Sequence, residues 1–304
     1  RFQDDVELKL MQPFYRIRFD DGTHFDYSGD AEANKREIAR FAPGDVDGYN
    51  RFMAASAANY RVGFEQLVDR PFSSFMDMLK VLPDMLRLRA DRSVHAMVSR
   101  YVKDPRIRMV LSFHPLLIGG NPYAASSVYT LISHLEREGG VYSAVGGTGR
   151  IIHGMVDLLE DQGNTLLYSA EVEEIMVRDG RARGVRLTDG NRIDADIVVS
   201  NAEPAWTYSR MLPGVRRRRW SDRKLRRARY SNGLFVWYFG TNRRYDEVPH
   251  HCILLGPRYR GLLDDIFRRK RLAEDFSLYL HRPTATDPSL APAGCDCFYV
   301  LAPV

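Results

Sequence analysis

Gly146, Gly147 and Gly149 stand at the mouth of an amphipathic stretch in VYSAVGGTGRIIHGMVDLLEDQG, residues 141–163. Glycines at a helix N-terminus leave amides free to receive a phosphate, aided by the helix dipole. A dinucleotide cradle needs more: a hydrophobic strand, G-x-G-x-x-G, a helix, and an acidic residue roughly 20 positions on. Here the preceding VYSAV is short and weakly strand-like, and the spacing is G-G-x-G. No Lys followed by Ser or Thr completes a P-loop either. The spacing alone favours a tight turn into a helix, with Thr148 as its cap, over a phosphate site.

Two further residues could move protons. His114 lies in the apolar block SFHPLLI, and Asp77 sits in FMDML, flanked by apolar residues. An imidazole titrates near neutrality, and a buried carboxylate can serve as a base. Each has a plainer reading, as a hydrogen-bonded core histidine and a solvent-facing acid. The three cysteines, Cys252, Cys295 and Cys297, include a C-D-C run. That is not a C-x-x-C pair, and no second cluster completes a metal shell, so we expect no metal and reduced, cytosolic thiols.

The elements that must position these groups follow from the pattern. At 304 residues the chain can bury a sizeable core and hold two compact units. Hydrophobic residues make up 44% and charged residues 27%, which excludes a disordered chain. FYRIRFDDGTHFDYS alternates about Asp21-Gly22 and predicts a β-hairpin. Residues 32–135 read as mainly helical, and a helix is expected over 149–161. Residues 164–204 read as a β-meander with turns at Asp179-Gly180 and Asp189-Gly190, returning to a buried strand at 196–200. GLFVWYFG, HCILLG, DFSLYLH and CFYVLAPV read as strands. The chain opens on Arg1 and stops at Val304 inside an apolar run, so both ends read as cut. No apolar run spans a bilayer, and no signal peptide is evident.

Long blocks of the chain resemble the bacterial-type phytoene desaturases. They are SFHPLLIGGNPYAASSVYTLISHLEREGGVYSAVGGTGRIIHGM, GLFVWYFG, HHCILLGPRYRGLLDDIF and EDFSLYLHRPTATDPSLAPAGCDCFYVLAPV, in the family's order. GGTG, DG and AD-x-VVSNA alone are similar to the wider flavin amine-oxidase-like superfamily. The resemblance implies an α/β (α+β mixture) fold: an incomplete FAD-binding Rossmann-like domain plus a β-sheet substrate domain with a helical membrane-associated insertion. Residues 1–28 and 230–304 would form the substrate-domain sheet and 29–135 the helical substrate and docking region. Residues 136–205 would be part of the FAD-binding domain, and 206–229 a basic connecting segment. Both terminal FAD motifs of the family are missing, so the chain reads as an internal fragment, inactive alone. The resemblance further implies cofactor contacts from Val172, beside the adenine, from Gly146 and Gly147, and from Ser200, Asn201 and Ala202. One departure is that the family's E-W-G-V is EGGV here, with Gly139 in the tryptophan's place. This leaves the substrate length and the number of desaturation steps open.

The implied activity is desaturation of phytoene or a related carotenoid precursor towards lycopene or intermediates. No side chain accepts a hydride, so FAD would carry it, with quinone or oxygen as the final electron acceptor. A tunnel for such a hydrocarbon is expected from Phe113, Leu116, Leu117, Ile118, Tyr123 and Tyr129. Each buried CH₂ is worth about 0.8 kcal/mol, so the isoprenoid stays in the bilayer and the enzyme must come to it. The expected location is cytoplasmic and peripheral to the inner membrane.

Two segments could dock. Phe72, Phe75, Leu79, Leu82 and Leu86 recur at helical steps beside Lys80, Arg87, Arg89 and Arg92, with Pro83 expected to split the helix. RRRRWSDRKLRRARY, residues 216–230, offers Arg217, Arg218 and Trp220 to anionic headgroups. No recognised nucleic-acid module surrounds this basic run, so nucleic acid is not expected as a partner. A flavin oxidoreductase acting on another isoprenoid, or a non-catalytic isoprenoid-binding module at the membrane surface, would share these features.

Overall fold

The computed structural model describes residues 5–69, 75–217, 219–228 and 230–304. The strands are β1 (Leu8–Leu10), β2 (Tyr15–Arg18), β3 (His24–Tyr27), β4 (Tyr142–Ala144), β5 (Val172–Arg178), β6 (Arg181–Leu187), β7 (Arg192–Asp194), β8 (Leu234–Thr241), β9 (His251–Leu254), β10 (Leu278–His281) and β11 (Asp296–Pro303). Two compact units result, one of Arg1–Gly154 with Ser231–Val304 and one of Met155–Tyr230. The boundary falls within the helix Gly149–Asp161.

The larger unit is built on a six-stranded sheet in the order β3-β2-β9-β10-β11-β8. The β2–β3 hairpin turns as its sequence demands. Gly22 takes φ +82°, and Asp21 Oδ1 accepts the Thr23 amide at 2.9 Å. β2 then pairs in parallel with β9, Arg16 opposite Cys252, while the remaining ladders are antiparallel. Helices cover the hairpin end, and Phe14, Ile17, Phe25, Ile38, Tyr49 and Phe52 are buried in the shared core. Local signals start these helices. Asp30 accepts the Glu32 and Ala33 amides at the head of Ala31–Phe41, and Asp104 with Pro105 starts Pro105–Ser112. Gly48 in the helix Val46–Tyr60 must be glycine, because a Cβ there would stand 1.9 Å from the Tyr101 carbonyl oxygen.

The smaller unit holds a three-stranded meander, β5-β6-β7, with its first turn at the predicted Asp179-Gly180, beside the helices Pro204–Arg210 and Asp222–Arg226 in the chain. Gly184 sits at φ +136°, where a Cβ would meet the Ile193 carbonyl oxygen at 2.1 Å. The side-chain-free position lets β7 close on β6. Both units together make a mixed α/β protein.

Two expectations fail. Residues 196–200 form no strand, and Ile197 and Val199 are 80% and 88% exposed rather than buried. Ala195 makes the last bond to β6, from its amide to the Arg183 carbonyl. No strand among the described residues pairs with the segment beyond it. Pro83 does not split its helix, which runs unbroken over Phe75–Arg87. Proline removes one donor, but the turns after it hold through Leu88 to Asp84 and Ala90 to Met85.

Candidate functional site

The register of β9, β10 and β11 sets one face of the large sheet. His281 pairs with His251 on one side and Tyr299 on the other, and Tyr279 pairs with Ile253 and Leu301. Directly paired side chains share a face, so these six residues point the same way. Phe113, Leu116 and Leu117, at the end of the helix Pro105–Ser112 and its 3₁₀ continuation, lie over that face. Between them is a cavity of about 440 Å³, also lined by Tyr15, Val141, Leu234, Leu278 and Pro303. Its lining is overwhelmingly hydrocarbon, and among the described residues no Asp, Glu, Lys or Arg contributes to it.

Several polar groups at its margin have partners within the fold. The Tyr15 hydroxyl donates to Glu136 Oε1 at 2.8 Å, and His114 Nε2 lies 3.1 Å from Glu136 Oε2. All three are buried. Burial, reinforced by Glu136, pushes the Tyr15 phenol well above its usual range, so it stays a donor. At the other end His251 Nδ1 lies 2.5 Å from the Tyr279 hydroxyl, and His250 Nε2 lies 2.7 Å from His281 Nε2. Burial pushes His250 down to about 4 and His281 to about 3. Burial, then His250 and His281, bring His251 to about 3. All three rings are neutral at physiological pH.

Of the residues expected to form the tunnel, Phe113, Leu116 and Leu117 line the cavity. Ile118 and Tyr129 are exposed, and Tyr123 faces a separate recess with His95 and Arg260. His114 is behind the wall, its ring stacked 4.3 Å from Phe113, and does not reach the cavity. Asp77 is half-buried on the helix Phe75–Arg87 and does not line the cavity. Sequence reading missed Tyr15, His251, Tyr279 and Tyr299. Their alternation along short strands was visible, but which strands are neighbours was not.

The residues assigned to a cofactor divide between the two units. Val172, Ser200, Asn201 and Ala202 line one cleft of about 380 Å³ in the smaller unit, with Val199 and Trp206. Ser200 Oγ lies 3.1 Å from Thr207 Oγ1, and Glu203 caps the following helix. The exposed apolar surfaces of Val199 and Trp206 fit a flat ring. Among the described residues no basic side chain lines the cleft for a pyrophosphate. Gly146 and Gly147 belong to the larger unit, both with positive φ. There the Gly146 amide donates to Asp287 Oδ2 at 2.7 Å. The Ser289 hydroxyl and that amide hold the Asp287 carboxyl below its usual range. A carboxylate thus receives the Gly146 amide just ahead of the helix Gly149–Asp161.

The docking candidates also separate. Met76, Leu79, Leu82 and Leu86 are all exposed, so the apolar stripe of Phe75–Arg87 faces outward rather than into its own core. Phe75 opens this helix, whereas Phe72 and Arg218 lie outside the described residues. In the smaller unit Arg217 is engaged by Asp222 and by the Trp220 carbonyl. Trp220 stacks on Tyr208, with Lys224 over its ring at 4.1 Å. Among the described residues no helix is long and apolar enough to cross a membrane.

The profile of the family described as flavin containing amine oxidoreductase matches residues 1–267. The chain is 48% identical over 306 residues to a neurosporene-forming phytoene desaturase of Cereibacter sphaeroides, covering all of this chain and 59% of that protein. It is also 48% identical over 307 residues to a lycopene-forming phytoene desaturase of Pseudescherichia vulneris, covering 62% of it. A zeta-carotene-forming phytoene desaturase of Myxococcus xanthus is 35% identical, with 58% of its length covered. The chain thus spans about three fifths of the curated relatives it matches. Among solved structures, an oxidoreductase from Methanosarcina mazei aligns over 98% of this chain and 61% of its own, with TM-score 0.57 and 17% identity. A putrescine oxidase redesigned in its cofactor binding aligns over 100% of this chain and 60% of its own, with TM-score 0.58 and 13% identity. These two share the fold.

Proposed function

Since the chain belongs to the flavin-containing amine oxidoreductase family, we propose that the protein it comes from is an FAD-dependent phytoene desaturase. Its substrate is phytoene or a closely related carotenoid precursor. The observation that carries this reading is the 440 Å³ cavity, apolar over nearly all its lining, in a chain 48% identical to phytoene desaturases.

A polyene precursor has no polar handle, so the site must hold it by shape and by exclusion of water. Phe113, Leu116 and Leu278 press on it with apolar surface worth about 25 cal/mol per Å². The Tyr15 hydroxyl turns away to Glu136 and presents its ring, which meets Phe113 edge-on at 5.4 Å. This keeps that end of the cavity hydrocarbon-lined. Flavin, when bound, supplies the hydride acceptor that no side chain provides. Among the described residues no carboxylate lines the cavity, and the accompanying proton leaves by water. Val172 and Ser200–Ala202 would hold the flat part of FAD in the smaller unit's cleft. Quinone or oxygen takes the electrons onward.

The exposed stripe Met76, Leu79, Leu82 and Leu86, flanked by exposed Lys80 and Arg87, supports peripheral docking on an anionic leaflet. The decisive test supplies the full-length, FAD-loaded protein with phytoene in liposomes and resolves the products by chromatography. Products with added conjugated double bonds support the reading. Phytoene retained unchanged by a flavin-loaded protein overturns it in favour of an isoprenoid-binding module.

A further inference from the structure

We propose that His250, His251 and His281 form a binding site for one divalent transition-metal ion of the zinc type, at the polar end of the cavity. One nitrogen from each ring lies within 4.8 Å of the other two. Register brings them together: His251 and His281 face each other across β9 and β10, and His250 immediately precedes β9.

The donor set selects the metal. Three neutral imidazoles and no carboxylate suit zinc, copper or nickel, whereas magnesium and calcium require oxygen. His281, whose Nε2 lies 2.7 Å from His250 Nε2, would carry its proton on Nδ1 and turn the Nε2 lone pair to the ion. The outer contacts are also those of a ligand set. His250 Nδ1 lies 2.7 Å from Thr286 Oγ1, and His251 Nδ1 lies 2.5 Å from the Tyr279 hydroxyl. With Nδ1–H donated to these oxygens, both Nε2 lone pairs are left for an ion, the arrangement that fixes tautomer and ring direction in metal sites. His281 Nδ1 is buried with no partner. The cluster therefore does not complete its own hydrogen bonding.

Binding requires the three nitrogens, which lie within 4.8 Å of one another, to adjust to tetrahedral spacing. The His250 and His281 Nε2 atoms are 2.7 Å apart, and tetrahedral zinc with Zn–N of about 2.0 Å needs them roughly 3.3 Å apart. Because His251 also lines the cavity, the ion would tie β9 to β10 where the apolar wall ends. A water would hold its fourth position.

The test uses tag-free full-length protein, stripped with a chelator and dialysed against Zn²⁺, with bound metal measured by mass spectrometry. Co²⁺ serves as a spectroscopic probe of the ligands. One equivalent of Zn²⁺ per chain and a tetrahedral Co²⁺ absorption are expected, both lost in His281→Gln. Thr286→Val, which leaves all three ligands in place, is expected to weaken binding roughly 10- to 100-fold. Wild-type protein that retains no Zn²⁺, or His281→Gln and Thr286→Val proteins that bind it as the wild type does, would overturn the proposal. The wild-type and Thr286→Val measurements decide it even if His281→Gln fails to fold.

Discussion

The Tyr15 hydroxyl donates across 2.8 Å to the Glu136 carboxylate, tying β2 to the helix Leu131–Gly139 over a separation of 121 residues. His114 meets the other oxygen of the same carboxylate at 3.1 Å. One buried acid thus satisfies two polar groups behind the cavity wall. Glu136→Ala should strand both, each at about 1–3 kcal/mol. Glu136→Gln, which keeps an acceptor, should lose clearly less. Urea denaturation of the two variants checks this; equal losses would show that the hydrogen bonds do not matter and only the side chain's bulk does.

A second prediction concerns the cavity. Leu278 lines it from β10, and Leu278→Trp places an indole where the polyene should lie. Phytoene turnover should fall by at least tenfold, about 1.4 kcal/mol in the barrier, with flavin content unchanged. Unaltered turnover in a folded, flavin-loaded variant would place the substrate elsewhere.

The buried pair Arg282 and Asp296 gives a third. Arg282 Nε lies 2.9 Å from Asp296 Oδ2, and Asp296 also accepts from Thr284 and from the Tyr245 amide. Removing one partner of a buried pair leaves an uncompensated charge, a loss of about 3–5 kcal/mol. Asp296→Ala should show that loss in thermal or urea unfolding. A loss below about 1 kcal/mol would mean that water reaches the pair.

A fourth prediction is a pH dependence. Arg271, then Arg269 and Arg258, hold the Asp265 carboxyl down to about 2 against the opposing effect of burial, from an ordinary 3.8. A depressed carboxylate stabilises the fold fully above the unfolded value, and that contribution is lost as pH falls through the folded value. The loss belongs between about pH 4 and pH 2. Over that window urea midpoints should fall more steeply for the wild type than for Asp265→Asn. Parallel curves would show that Asp265 does not contribute.

What could be read from the sequence was local. Asp21-Gly22 and Asp179-Gly180 announced their turns, and the helix at Gly149–Asp161 has the expected bounds. Pro83 misled because one missing donor does not stop a helix whose neighbouring turns hold. Residues 196–200 misled because an apolar run becomes a strand only beside a partner. The site itself was half legible. Phe113, Leu116 and Leu117 lie in one contiguous apolar block, whereas Tyr15, His251, Tyr279 and Tyr299 meet only through the pairing of β2, β9, β10 and β11. No local pattern records a parallel pairing between Arg16 and Cys252.

The last prediction follows from the outward stripe of the helix Phe75–Arg87. Leu79, Leu82 and Leu86 are exposed on it, with Lys80 and Arg87 beside them. Each leucine buried in lipid is worth about 1.5–3 kcal/mol, and each basic residue near an anionic surface about 1 kcal/mol. The triple change to serine should therefore reduce binding of the full-length protein to anionic vesicles by more than about a hundredfold, with the exposed side chains leaving stability little altered. High salt should weaken the wild type without abolishing its binding, because screening removes the charge contribution and spares the apolar one. If the triple variant sediments with vesicles as the wild type does, docking uses another surface, and the arginine run of the smaller unit becomes the next to change. If neither protein binds anionic vesicles at low salt, peripheral docking is excluded.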